Sequence, residues 1–86
     1  MKLSLYITKL IRETICKIGR KKTIEIFDIE RTTLYKYENN LKYNKQNILI
    51  LPAICKKYCE ANPKKDLKEV LMQGLHFYLE DILEDN

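Results

Sequence analysis

The sequence is poor in the residues that make turns and that perform catalysis. It contains two glycines, two prolines, one histidine and no tryptophan among 86 residues. So few glycines and prolines favour helices joined by short turns over an all-β fold, and they leave no glycine-rich phosphate-binding loop. A cysteine paired with His76 could in principle act as nucleophile and base, but no spacing in the chain favours this pair. We therefore expect that the protein is not an enzyme.

The chain also lacks a recognisable metal-binding pattern. Its three cysteines are Cys16, Cys55 and Cys59, and with His76 they match no common zinc-finger spacing. We expect these thiols to be buried as small apolar residues, and His76 to be partly buried. Cys55 and Cys59 are four residues apart, which disfavours a disulfide between them. No metal and no cofactor is expected.

No long apolar segment is present. No run approaches the ~18 apolar residues of a membrane span, and the first residues do not resemble a signal peptide. We expect a cytoplasmic protein with reduced thiols, in the host cytoplasm if the source is a virus, and no membrane partner.

Charge is distributed unevenly along the chain. Residues 1–65 carry 15 Lys and Arg against 6 Asp and Glu, a net charge of +9. Residues 66–86 carry 1 Lys against 6 Asp and Glu, a net charge of −5. A basic body with an acidic tail suits a polyanionic partner, because Lys and Arg displace counterions from phosphates. The alternative is an ordinary solvated surface.

The apolar pattern predicts an all-α fold of about five helices in a single domain, residues 1–86. Apolar side chains recur at helical spacing over 3–18, and Gly19 is suited to end that helix. Shorter helices follow at 20–27 and 31–38, then a helix beginning near Leu51 because Pro52 is unfavourable inside one, and a final helix at 65–84. Residues 1–62 form the predicted core and 63–86 the C-terminal helix.

The two short helices are separated by Asp28, a residue that tolerates turn conformations. Two short helices joined by a tight turn form a helix-turn-helix, whose second helix enters the DNA major groove. Ile24, Ile29, Leu34 and Tyr37 are predicted to supply the inner contacts. The predicted outer face of the second helix consists of Glu30, Arg31, Thr32, Tyr35, Lys36 and Asn39.

The segment IERTTLYKYENN resembles the recognition segment of the phage Cro and repressor (XRE-like) helix-turn-helix family. The longer stretch GRKKTIEIFDIERTTLYKY is also similar to short archaeal helix-turn-helix proteins. The resemblance covers roughly residues 5–60 and places Asp28 where the family usually has Gly. Two departures stand out: Thr23-Ile24 inverts the usual large-small pair, and Glu30 replaces the usual Ser cap.

The resemblance and the charge pattern together imply a set of DNA-binding residues. Arg31 is the candidate for a bidentate guanine contact, and Thr32 and Thr33 for contacts to phosphate or a thymine methyl group. The remaining candidates lie along the groove wall or against phosphate. They are Arg20, Lys21, Lys22, Tyr35, Lys36, Asn39, Lys42, Tyr43 and Lys45.

These observations predict a sequence-specific double-stranded DNA-binding protein, a small repressor of a virus, plasmid or microbial host. The C-terminal helix is apolar over more than half its circumference, so we expect a homodimer through it, with two recognition helices ~34 Å apart. Two alternatives stay open. One is a protein-interaction module, like an antitoxin or a host-enzyme inhibitor, that uses the acidic C-terminal helix. The other is an architectural or repeat-binding nucleic-acid protein.

Overall fold

A computed structural model describes residues 2–39, 41–42 and 46–84. All regular structure in these residues is helical, in four helices: α1 (Lys2–Phe27), α2 (Arg31–Asn39), α3 (Asn47–Ala61) and α4 (Leu67–Glu84). The all-α class is thus confirmed. Among the described residues, no helix is both long and apolar enough to cross a membrane.

The count of about five helices was one too high, because the first two predicted helices belong to one element. Gly19 lies inside α1 with φ 84° and ψ 166°, a non-helical conformation that kinks the helix between residues 2–18 and 20–27. This combination of angles is essentially restricted to glycine. The predicted break at Gly19 is therefore present, although the helix continues beyond it.

The first half of α1 forms the centre of the molecule. Leu3, Ile7, Leu10 and Ile11 are almost completely buried on one of its faces. Helices α2, α3 and α4 all pack against α1, and α3 also packs against α4. Two buried tyrosines also link these helices through their hydroxyl groups. Tyr6 of α1 donates to the carbonyl of Val70 at 2.7 Å, and Tyr58 of α3 donates to Glu13 Oε2 at 2.5 Å.

Helix α3 begins earlier than predicted. It starts at Asn47, and Pro52 lies inside it rather than at its start. Proline cannot donate to the carbonyl four residues earlier, so Pro52 costs the helix one hydrogen bond, and its own side chain is exposed. The apolar side chains Leu51, Ile54 and Tyr58, which are buried against the core, outweigh this local cost.

Two aspartates fix helix α4: one caps its first turn, and the other joins its last part to α1. Asp66 Oδ1 accepts from the amide of Lys68 at 3.2 Å, the pattern of an N-cap. Asp81 is buried near the other end of α4 and accepts from the amides of Lys2 and Leu3 at 2.8 and 3.0 Å. A side chain of the last helix thus caps the first one. Burial alone would raise the pKa of Asp81, but the amide donors outweigh it and hold the pKa below its usual value.

Asp81→Asn is expected to destabilise the fold by about 1–2 kcal/mol near neutral pH, because the amide weakens the charge-assisted cap. A carboxyl group with a lowered folded-state pKa stabilises the protein above its unfolded pKa and loses that effect as pH falls. Wild-type stability should therefore decline below about pH 4, and the variant should decline less. Urea unfolding followed by circular dichroism at several pH values measures both effects. Equal pH dependence in the two proteins would contradict this role.

The two glycines are predicted to resist substitution for different reasons. A Cβ at Gly19 would meet nothing within 4 Å, so Gly19→Ala should cost about 1–3 kcal/mol through backbone strain alone. A Cβ at Gly74 would lie 2.7 Å from both methyl groups of the buried Leu51, so Gly74→Ala should be overpacked. We expect that cost, about 1–3 kcal/mol, to be larger than the roughly 1 kcal/mol gained in helix propensity.

Leu51→Val separates the two mechanisms in a double-mutant cycle. It should reduce the effect of Gly74→Ala by giving the added methyl group room, and should be additive with Gly19→Ala. Urea unfolding gives the four free energies of each cycle. Additivity at Gly74, or coupling at Gly19, would refute the assignment.

Candidate nucleic-acid interface

A sharp change of chain direction separates α1 from α2. Asp28 adopts φ 52°, the left-handed conformation, and is the sole non-glycine residue with positive φ among those described. The amide of Ile29 donates back to the carbonyl of Ile24 at 3.4 Å, closing the turn. Aspartate tolerates this conformation better than most residues do. Asp28 thus lies at the turn, as predicted from the sequence.

The inner contacts across this turn differ from the expectation at one position. Phe27 and Leu34 are buried, with Leu34 only 1% exposed, whereas Ile24, Ile29 and Tyr37 are partly buried and pack against the core. Thr23 rather than Ile24 is fully buried in this turn of α1. The burial of Thr23 is tolerated because its hydroxyl donates to the carbonyl of Gly19 at 2.7 Å.

The outer face of α2 is open to solvent. Tyr35 is 59% exposed, which separates it from the half-buried Tyr37. The other members of the outer face are also exposed, whereas Thr33, which lies beside it, is half-buried; the exposed members are Glu30, Arg31, Thr32, Lys36 and Asn39. Among the described residues, α2 packs against α1 and against no other helix. One side of α2 is therefore anchored and the opposite side is free to meet a partner.

A second group of basic residues lies beside α2. We call Arg20, Lys21 and Lys22 the basic turn, because they follow the Gly19 kink directly; all three are exposed. A groove of about 660 Å³ runs between this part of α1 and α2. Its lining consists of Arg20, Lys21, Ile24, Glu25, Arg31, Leu34 and Tyr35. The lining carries three cations against one carboxylate, Glu25, so the groove is basic, although one of the cations, Arg20, is paired with Glu38.

Arg20 has a partner within the protein. Its guanidinium makes a two-pronged ion pair with Glu38 at the end of α2, with Nη2 donating to Oε2 at 2.8 Å and Nη1 donating to Oε1. The hydrogen bond from Arg20 lowers the pKa of Glu38, although partial burial opposes the shift. Arg20 therefore holds α2 against α1, and its charge is partly compensated before any phosphate approaches.

Two further side chains, neither of them predicted from the sequence, hold the end of α2. Thr8 Oγ1 donates to the carbonyl of Tyr37 at 2.8 Å, and Arg12 Nε donates to the carbonyl of Glu38 at 3.0 Å. These are among the last carbonyls of α2, which lack partners within the helix. Thr8 and Arg12 are four residues apart, so they share one side of α1. That spacing was the available signal, but the sequence does not reveal which carbonyls lie opposite.

Four predicted DNA-binding residues lie at the end of α2 or after it. Lys42 is exposed after α2, and Asn39 Nδ2 donates to the carbonyl of Tyr35 at 3.3 Å. Tyr43 and Lys45 lie outside the described residues.

The cysteines and the histidine differ in part from the expectation. Cys55 is fully buried, which raises the pKa of its thiol to about 11, and Cys59 is half-buried. Cys16 was expected to be buried and is exposed, because it lies on the outward side of α1. The side chain of His76 is 62% exposed rather than partly buried, and its Nε2 lies 2.8 Å from Glu80 Oε1. Within the described part of the chain, no three His, Cys, Asp or Glu residues are grouped so that they could hold a metal ion.

Comparison with known proteins yields no family model, no curated protein and no solved structure that matches this chain. The likeness to helix-turn-helix proteins therefore stays a prediction.

The Arg20–Glu38 pair is predicted to control how firmly α2 is attached. Glu38→Gln should speed amide hydrogen exchange in α2 several-fold, because exchange there requires local opening. Exchanging the charges, with Arg20→Glu and Glu38→Arg together, should restore much of the protection. Because the folded-state pKa of Glu38 is lowered, the attachment should persist above about pH 4.3 and weaken as pH falls further.

Hydrogen exchange resolved by NMR measures this effect, with amides of α3 as the internal control. Faster exchange in both helices would indicate global unfolding. Unchanged exchange in α2 would show that the pair does not anchor it.

Proposed function

We propose that this protein binds double-stranded DNA sequence-specifically, with α2 in the major groove, and acts as a small transcriptional repressor. The observation that carries the proposal is the exposed polar outer face of α2, which follows a left-handed turn at Asp28 and lies opposite the buried Leu34. A helix with its side chains is ~10–12 Å across, which suits a major groove ~12 Å wide.

Six exposed side chains of α2 and the basic turn have a role in this proposal. Arg31 is in the first turn of α2, the part of a recognition helix that meets base edges, and it pairs with a guanine. Thr32 contacts a phosphate or a thymine methyl group, and Lys36 follows the groove wall. Lys21 and Lys22 of the basic turn contact the sugar-phosphate backbone and fix the position of the protein on DNA. Arg20 contributes mainly by holding α2 through Glu38.

Arg31→Ala is expected to weaken binding to the preferred sequence by about 1–3 kcal/mol and to relax the preference at one base pair. Lys36→Ala should weaken binding about equally for all sequences and reduce the slope of log affinity against log salt by about 1. Selection from random duplex DNA identifies the preferred sequence, and fluorescence anisotropy at several salt concentrations gives the affinities.

Lys56→Ala is the matched control, because Lys56 is exposed on α3 and the substitution removes the same charge. It should change affinity little. Absence of binding to every duplex at low salt would refute the proposed function. Equal losses in the Arg31 and Lys56 variants would refute the role of α2.

A second candidate function is the binding of another protein through α4. It is favoured by Met72, Leu79 and Leu83, large apolar side chains of α4 that are exposed by 57%, 57% and 72%. This candidate requires a stoichiometric complex with another protein and no response to DNA, so the same DNA-binding assay separates the two functions.

A further inference from the structure

One side of α1 carries three exposed cations that the proposed function does not use. They are Lys9, Arg12 and Lys17, and we call them the α1 basic face. All three line one groove of about 520 Å³ on the surface of α1, so they lie on the same side of the helix. Glu13 is the one carboxylate in that lining. The lining therefore has more positive than negative charge.

The cations of the α1 basic face are not neutralised within the protein. Among the described residues, neither Lys9 nor Lys17 has an ion pair or a side-chain hydrogen bond. Arg12 Nε donates at 3.0 Å to the main-chain carbonyl of Glu38, whose carboxylate is already bound by Arg20. The α1 basic face is thus available to an anionic partner.

The α1 basic face adjoins the end of α2. Thr8 and Arg12 both line its groove, and both donate to carbonyls in the last turn of α2, at 2.8 and 3.0 Å. The basic turn follows on the same helix, beyond the kink at Gly19. Exposed cations therefore continue along α1, next to the helix that is proposed to enter the major groove.

We propose that the α1 basic face binds phosphates of the DNA strand that borders the groove entered by α2. This inference rests on the proposed function and extends the contact from the major groove to a neighbouring row of phosphates. Lys9 and Lys17 are separated by about 12 Å along the helix axis. Three to four phosphates of one strand occupy roughly that rise, so the two lysines contact different phosphates.

Lys9→Ala and Lys17→Ala together should weaken binding at least about tenfold at about 0.1 M salt, for all sequences alike. The slope of log affinity against log salt should fall by about 2, since each phosphate contact contributes roughly 0.9. The base preference that depends on Arg31 should not change, because phosphate contacts carry no sequence information.

The matched control is Lys64→Ala together with Lys65→Ala, which removes the same two charges. Both lysines are exposed just ahead of α4, and α4 does not pack against α2 in the described part of the chain. This double variant should change affinity and slope little.

Glu13→Gln tests the same face with the opposite sign. It removes a carboxylate that repels phosphate, while the glutamine Oε1 can still accept from the hydroxyl of Tyr58. Binding should become several-fold tighter. Glu69→Gln, at an exposed position on α4, is the matched control and should change binding little.

Fluorescence anisotropy at several salt concentrations measures these affinities, and circular dichroism confirms that each variant is folded. Ethylation interference on the preferred duplex locates the phosphates. Phosphates whose ethylation weakens binding of the wild type, but not of the Lys9 and Lys17 double variant, identify the contacts of the α1 basic face.

Two kinds of failure are distinguishable. Equal losses in the two double variants, an identical interference pattern in the wild type and the Lys9 and Lys17 variant, or unchanged affinity of Glu13→Gln would overturn this inference alone. In each case DNA binding that depends on Arg31 would leave the proposed function in place. Absence of binding to every duplex would overturn both.

Discussion

The position of α2 depends on two residues with positive φ that lie nine positions apart. Gly19 kinks α1, and Asp28 ends it, so that the chain changes direction twice before α2 begins. Between these two points, Thr23 and Phe27 fix the short segment against the core. If either backbone conformation were lost, Leu34 could not reach its buried position while the outer face of α2 stayed in solvent. The position of the candidate interface therefore depends first on the backbone conformation at Gly19 and Asp28, and its chemistry depends on the side chains of α2.

Helix α2 is joined to the molecule by contacts that come from one helix. Leu34 supplies the fully buried apolar contact and Tyr37 a partly buried one. The end of α2 is held by Thr8, Arg12 and Arg20 of α1. Helix α1 is in turn fixed by α4, whose Asp81 caps its first amides. A connected series of contacts therefore runs from α4 through α1 to α2. Such an arrangement lets a short helix stand out from a small core without being buried by it.

The sequence was sufficient to predict features that depend on local pattern. The helical class, the break at Gly19, the turn at Asp28 and the contrast between Tyr35 and Tyr37 follow from apolar spacing and from backbone preferences. Features that depend on packing were not accessible. The start of α3 before Pro52 required knowledge of which side faces water, and the burial of Thr23 required knowledge of its hydrogen bond to Gly19. The exposure of Cys16 likewise depends on which side of α1 the other helices cover.

In the candidate site, too, local features were predictable from the sequence and contacts between helices were not. That Arg31 and Lys36 are exposed was foreseeable from the polar side of a short helix, whereas the ion pair of Arg20 was not. A basic residue at a helix start has the same sequence signature whether it meets a phosphate or a carboxylate of its own chain. Only the relative placement of α1 and α2 decides between these partners, and it is a property of the folded chain.

The hydrogen bonds that Thr8 and Arg12 make to α2 end on main-chain carbonyls, and not on side chains. Carbonyls are present whatever residues occupy the helix, so this anchoring tolerates variation along the surface that would read a nucleic acid. The chain thus separates the part that secures the helix from the part that could discriminate between ligands. Such a scaffold is evolvable: its recognition preferences could be reprogrammed by exchanging solvent-facing residues while its architecture stays intact.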